Sequence, residues 1–168
     1  MQKQIDTLYF VMLQYFAGDA KRCQHFIKVH SLAALIGRTE GLDEHTQTLL
    51  EAAALVHDCG IKPGEAKYGR NDGKIQEQEG PQAAEKLLLE AGFAKEDRER
   101  ICYLVGHHHT YNNINGLDYQ ILVEADFLVN FYEDKLPQGN IKICTERIFK
   151  TATGIKLAQT MFEYREEE

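Results

Sequence analysis

Apolar residues recur at helical spacing from the start of the chain. Ile5, Leu8, Tyr9, Met12, Leu13 and Phe16 share one face and predict an amphipathic helix over residues 3–17. Gly18 ends it, and Asp19 suits the N-cap of the next. That second helix runs to about Gly37 on a stripe of Phe26, Val29, Leu32, Ala33 and Ile36. His25 lies on the same face and is expected to point inward, whereas His30 is about 140° away and falls off it. After a break at Gly41-Leu42, Asp43 can cap a third helix over residues 44–58. Leu49, Leu50, Ala53, Ala54 and Val56 make it apolar over most of its circumference, the mark of a helix central to a bundle. Its C-terminal end carries the adjacent pair His57-Asp58.

Residues 59–78 read as a long polar loop, punctuated by Gly60, Pro63, Gly64, Gly69 and Gly73. Glu79-Gly80-Pro81 is expected to open the next helix, with Pro81 in its first position and Gly92 at its end. Ile101, Leu104, Val105 and His108 then mark a helix from Lys95 to about His109. A polar loop, Thr110 to Gly116, leads to Asp118 as a candidate N-cap. Ile121, Leu122, Ala125, Leu128, Val129 and Tyr132 define the helix that follows, with Asp126 near its middle. Pro137-Gln138-Gly139-Asn140 breaks the chain before a last helical region, with an interruption expected near Gly154 and an acidic tail from Arg165 to Glu168. The pattern holds no convincing strand and no repeat. The expected fold class is all-α: a compact multi-helix bundle forming one domain over residues 1–168, with its core at about 20–132 and a C-terminal helical extension at 140–168.

Composition narrows the function classes. A net charge of -7 argues against a nucleic-acid polymer held by phosphate contacts. No apolar run reaches the roughly 18 residues of a membrane span, and the first residues lack a signal-peptide layout. Cys23, Cys59, Cys102 and Cys144 form no CxxC pair, which disfavours a thiolate zinc site or a disulfide framework and fits a reducing cytoplasm.

Several polar groups are nevertheless sent inward by apolar helices: His25, His57-Asp58, the cluster His107-His108-His109, and Asp126. A lone histidine on an apolar face is more often a hydrogen-bonded core residue. A set of imidazoles and carboxylates converging from separate helices of a bundle is a way to build a metal site. The ligand types suit a divalent ion such as Mn, Fe, Co, Ni, Zn or Mg.

Four stretches carry a resemblance: His25 followed by Val29 and Ala33, then AAALVHDCGI (52–61), LVGHHHTY (104–111) and ILVEADFLVN (121–130). In this order and at these intervals the chain resembles the HD-domain metal-dependent phosphohydrolase superfamily. The resemblance implies an all-α fold with a metal site between central helices. It makes His25, His57, Asp58 and Asp126 the metal ligands, and a phosphate ester or anhydride of a small molecule the substrate, with nucleotides among the candidates. Asp58 would also accept a proton from the attacking water, and His107 or His108 would stabilise phosphoryl oxygens or protonate the leaving group. Lys62, Lys67, Arg70 and Lys74 could hold further phosphates. Family members with two metals carry additional histidines, one of them before a glycine such as Gly80. Here Gln76-Glu77-Gln78-Glu79 stands in that place, which favours a single ion. The alternative is a catalytically degenerate module of the same type that binds metal and nucleotide without turnover.

Overall fold

The computed structural model of the chain describes residues 2–163. Among these residues nine α-helices and one 3-10 turn follow one another: α1 Gln2–Tyr15, α2 Ala20–Thr39, α3 Glu44–Val56, the turn His57–Gly60, α4 Ile61–Tyr68, α5 Gly73–Glu90, α6 Lys95–Val105, α7 Leu117–Glu133, α8 Gln138–Ile148 and α9 Ala152–Phe162. Among the described residues there is no strand. None of their helices is long and apolar enough to cross a membrane.

Helix α3 is central, as its apolar circumference predicts. Leu50, Ala52, Ala53, Ala54, Leu55 and Val56 have no exposed surface, and α1, α2, α6 and α7 all pack against this helix. Each fully buried Leu or Val contributes about 1.5–3 kcal/mol relative to exposure. The small alanines bring neighbouring helices close, so polar groups from α2, α7 and the α6 end can meet beyond the C-terminus of α3. The predicted caps also form: the Asp19 carboxylate accepts the Arg22 N–H at 3.1 Å, and Asp43 accepts those of His45 and Thr46 at 3.0 Å each.

Several boundaries differ from the sequence expectation. The stretch 59–78 is largely helical, because Pro63 falls in the first turn of α4, where no backbone N–H is needed. Gly69, at φ +67°, closes α4. Asp72 then caps α5 by accepting the Ile75 N–H at 3.3 Å, so Pro81 lies inside α5 and does not open it. Packing on the 3-10 turn and on α6 carries α5 through the missing hydrogen bond. That packing is close: a Cβ on Gly60 would stand 2.6 Å from the Gln76 carbonyl oxygen.

Helix α6 ends at Val105, so His107 to His109 lie in the turn beyond it. Gly116 occupies the N-cap position of α7. Asp118 instead pairs with Arg100 through two contacts of 2.6 and 2.9 Å. The break in the C-terminal region comes at Phe149–Thr151, and Gly154 sits in the first turn of α9. Buried Glu124 sets that break by accepting the N–H groups of Lys150 (2.6 Å) and Thr151 (3.0 Å). Residues Arg165–Glu168, read as an acidic tail, lie outside the described residues.

Candidate metal centre

The helical ladder tightens at Val56, and the 3-10 turn that follows presents His57 and Asp58 to the space between α2 and α7. His25 enters from α2 and Asp126 from α7. His25 Nε2 lies 3.2 Å from His57 Nε2, 3.4 Å from Asp58 Oδ2 and 3.2 Å from Asp126 Oδ1. His57 Nε2 lies 3.5 Å from Asp58 Oδ1 and 3.5 Å from Asp126 Oδ1. Donors sharing one ion at about 2.0–2.2 Å stand roughly 3.0–3.5 Å apart, so this spacing fits a divalent ion.

The tautomers fit as well. His57 Nδ1–H donates to the Ala54 carbonyl at 2.9 Å, and His25 Nδ1–H donates to Glu133 Oε2 at 2.8 Å. Each ring is thereby oriented with its Nε2 facing the cluster, the arrangement that metal-binding histidines use. His108 repeats it: Nδ1–H donates to the Val105 carbonyl at 2.7 Å, and Nε2 faces Asp58 Oδ1 at 3.6 Å. That buried Nε2 has no hydrogen-bond partner, an expensive condition that a ligand would relieve.

Charge reinforces this reading. Burial pulls the His57 imidazole down, but Asp58 and Asp126 outweigh it and lift its pKa to about 9. Burial opposes ionisation of Asp58, yet the neighbouring imidazoles hold its carboxyl at about 2. Asp126 is likewise driven well below the ordinary carboxylate range, against its burial, by His25 and His57. Two ionised carboxylates thus hold protons on facing histidines, and a divalent cation answers the same demand for positive charge.

Of the sequence candidates, His25, His57, Asp58, Asp126 and His108 meet at one place. His107 does not: its Nδ1–H donates to the Tyr103 carbonyl at 2.7 Å, and its ring stacks on Tyr103 at 4.2 Å. Ending α6 at Val105 shifts the inward pair by one residue, to His108-His109. His109 lies beside the cluster, and burial takes its pKa down to about 4. Asn130, one turn beyond Asp126, donates to its Oδ1 at 3.0 Å.

A cleft of about 440 Å³ opens onto His25 and the partly exposed Asp58. Its cations are Lys21 and Arg22, from the first turn of α2, which the hydrophobic pattern did not single out. The four basic residues of the 62–74 segment do not line it. Lys62 donates to the Tyr15 carbonyl at 2.7 Å, Lys67 pairs with Glu79, and Arg70 lies 3.3 Å from Asp72; Lys74 is exposed. Glu133 also escaped notice in the sequence, since nothing in its local pattern separates it from surface polar residues.

Comparison with curated proteins and with solved structures finds no match. Comparison with protein-family models matches residues 22–148, more than half of the chain, to the HD domain. The match runs from just before the first histidine of the cluster to beyond its last carboxylate, and the chain belongs to the HD-domain family, of metal-dependent phosphohydrolase type.

Proposed function

We propose that this protein is a phosphohydrolase that uses one divalent ion to cleave a phosphate ester or anhydride of a small polar molecule. The observation that carries the reading is the convergence of His25, His57, Asp58 and Asp126, with both imidazoles turned Nε2-inward by bonds at Nδ1. These four residues would hold the ion. A bound divalent ion lowers the pKa of a water and polarises a phosphoryl oxygen.

The chain's own groups supply the rest. Asp58 turns Oδ1 toward His57 and His108 and Oδ2 toward His25, so one oxygen can ligate while the other accepts a proton from the attacking water. His108, with its free Nε2 beside Asp58, is the group to pass that proton on or to stabilise a phosphoryl oxygen. Lys21 and Arg22 lie on the open side and would hold the phosphate. The amides of Asn71, Gln76 and Asn130 give the cleft hydrogen-bonding groups suited to a polar substrate.

The test is elemental analysis of untagged protein followed by a phosphate-release screen over sugar phosphates and nucleotides with Mn, Co, Ni, Mg and Zn. Stoichiometric metal and chelator-sensitive release are expected, and Asp58→Ala should lose both. Metal without turnover across the whole screen would leave the non-catalytic binding module as the better reading. A protein that takes up no metal would overturn both.

A further inference from the structure

The cleft over the cluster carries little positive charge beyond what an ion would bring. Asp58 and Asp126 would offset the charge of a divalent ion. Outside the ligand set, the charged residues lining the cleft are two cations, Lys21 and Arg22, and three carboxylates, Asp19, Glu133 and Asp134. Arg22 is already held by Glu65 at 2.5 Å and by Asp19 at 3.1 Å. The oxygens of Glu133 serve His25 and Lys28. Asp134 is exposed, and its carboxylate has no partner among the described residues. One phosphoryl group can be met by the ion, Lys21 and Arg22. A second phosphate finds no further cation and adds charge to a cleft that already holds an uncompensated carboxylate.

The neutral groups are selective in kind. The Asn71 amide faces Glu65 at 2.7 Å, and the Asn130 amide faces Asp126 at 3.0 Å. A carboxylate only accepts, so the amide atom turned to it is the NH2 in both cases. Each residue keeps an amide oxygen without a partner among the described residues, and both residues line the cleft. These two oxygens and the Asp134 carboxylate are acceptors, and hydroxyl groups on a substrate would supply the donors they lack. Among the described residues lining the cleft, Ile61 alone is apolar and His25 carries the only ring. A nucleobase binds through stacking and apolar contact, and this lining offers it little of either.

We propose that the substrate is the monophosphate ester of a polyol, such as a sugar phosphate, and that Asp134 selects against molecules carrying a second phosphate. The proposal rests on the hydrolase reading above and chooses ester over anhydride within it. Hydrolysis would return inorganic phosphate and the free alcohol. The oxygen of water joins phosphorus, the bond from phosphorus to the polyol oxygen breaks, and that oxygen takes up a proton.

Matched substrates separate the two claims. AMP is ribose 5-phosphate with a base added, and ADP is AMP with a phosphate added. With the divalent ion in excess over substrate, kcat/KM for phosphate release should be at least as high for ribose 5-phosphate as for AMP. It should be about tenfold higher for AMP than for ADP. Asp134→Lys, just beyond the C-terminal end of α7, should close most of the gap between AMP and ADP. A second readout does without turnover. In 15N amide spectra of the metal-free wild type, pyrophosphate should shift the Lys21 and Arg22 signals at no lower concentration than phosphate does. In Asp134→Lys it should do so at a clearly lower one. AMP ahead of ribose 5-phosphate by about tenfold, or ADP level with AMP, overturns the proposal and leaves the hydrolase standing. So does a folded Asp134→Lys protein that alters neither comparison. Should that variant fail to fold, the wild-type comparisons decide. No release from any phosphate ester or anhydride overturns the hydrolase itself, and this proposal with it.

Discussion

Glu133 grips His25 from behind. Its Oε2 accepts the His25 Nδ1–H at 2.8 Å, while its Oε1 takes the Lys28 ammonium at 2.5 Å. The carboxylate thereby fixes which His25 nitrogen faces the cluster and makes that nitrogen a better donor to a metal. Replacing Glu133 by Ala should weaken divalent-ion affinity by about 10–100-fold. Glu133→Gln should fall between the two, since its amide can present either an acceptor or a donor to His25. Competition against a chromophoric chelator measures this directly, and an unchanged Kd in Glu133→Ala would show that His25 needs no such support.

The helical spacing of apolar residues was enough to read α1, α2, α3 and α7, because each buries a stripe that its own sequence displays. His25 and Asp126 were legible for the same reason: each is a polar residue at a core position. The 59–78 segment was misread because its glycines and proline suggest a loop, whereas Pro63 and Gly69 fall at helix ends that tolerate them. His107 was implied by the family doublet, whereas α6 ends at Val105 and the His107 ring turns onto Tyr103. Glu133 works through a partner 108 residues away, so no local pattern could have exposed it.

Lys21 and Arg22 line the cleft and are the residues proposed to hold the phosphate. Arg22 is preset by Glu65, with contacts of 3.2 and 2.5 Å, and by Asp19 at 3.1 Å. Once a phosphate-releasing substrate is in hand, Arg22→Ala should raise KM by about 10–100-fold, the loss of a charge-assisted hydrogen bond, with a smaller effect on kcat. Lys21→Ala should act in the same direction. Lys62→Ala, whose ammonium lies against the Tyr15 carbonyl and ring, should leave KM unchanged. A KM that rises with Lys62→Ala and not with Arg22→Ala would return the phosphate to the 62–74 segment.

Glu124 is the chief polar anchor of the C-terminal helices. It is fully buried, and its carboxylate accepts the N–H groups of Lys150 and Thr151, the Thr151 hydroxyl and, at 2.7 Å, the Gln120 amide. In Glu124→Ala these donors lose their acceptor at the break between α8 and α9. Buried groups left unsatisfied cost about 1–3 kcal/mol each, so a loss on the order of 3 kcal/mol is expected in urea unfolding. Glu124→Gln keeps one acceptor oxygen and should lose less. Equal losses in the two variants would mean that volume, not hydrogen bonding, holds the break.

Away from the proposed metal ligands, Glu51 should give stability a pH dependence of definite sign. His30 Nε2–H donates to its Oε2 at 3.2 Å, and the Gln47 amide donates to its Oε1 at 2.7 Å. The His30 bond, helped by Gln47 and opposed by burial, holds the Glu51 carboxyl below its ordinary value of 4.5. A carboxylate depressed in the folded state adds stability that is complete above the unfolded pKa and is lost as pH falls through the folded one. The unfolding free energy of wild type minus that of Glu51→Gln should therefore be level from about pH 7 to 6 and shrink below about pH 4.5. Urea melts of both proteins across that range check it. A difference that grows as the solution is acidified would show that the folded protein favours the protonated carboxyl, and that the His30 bond does not carry the charge.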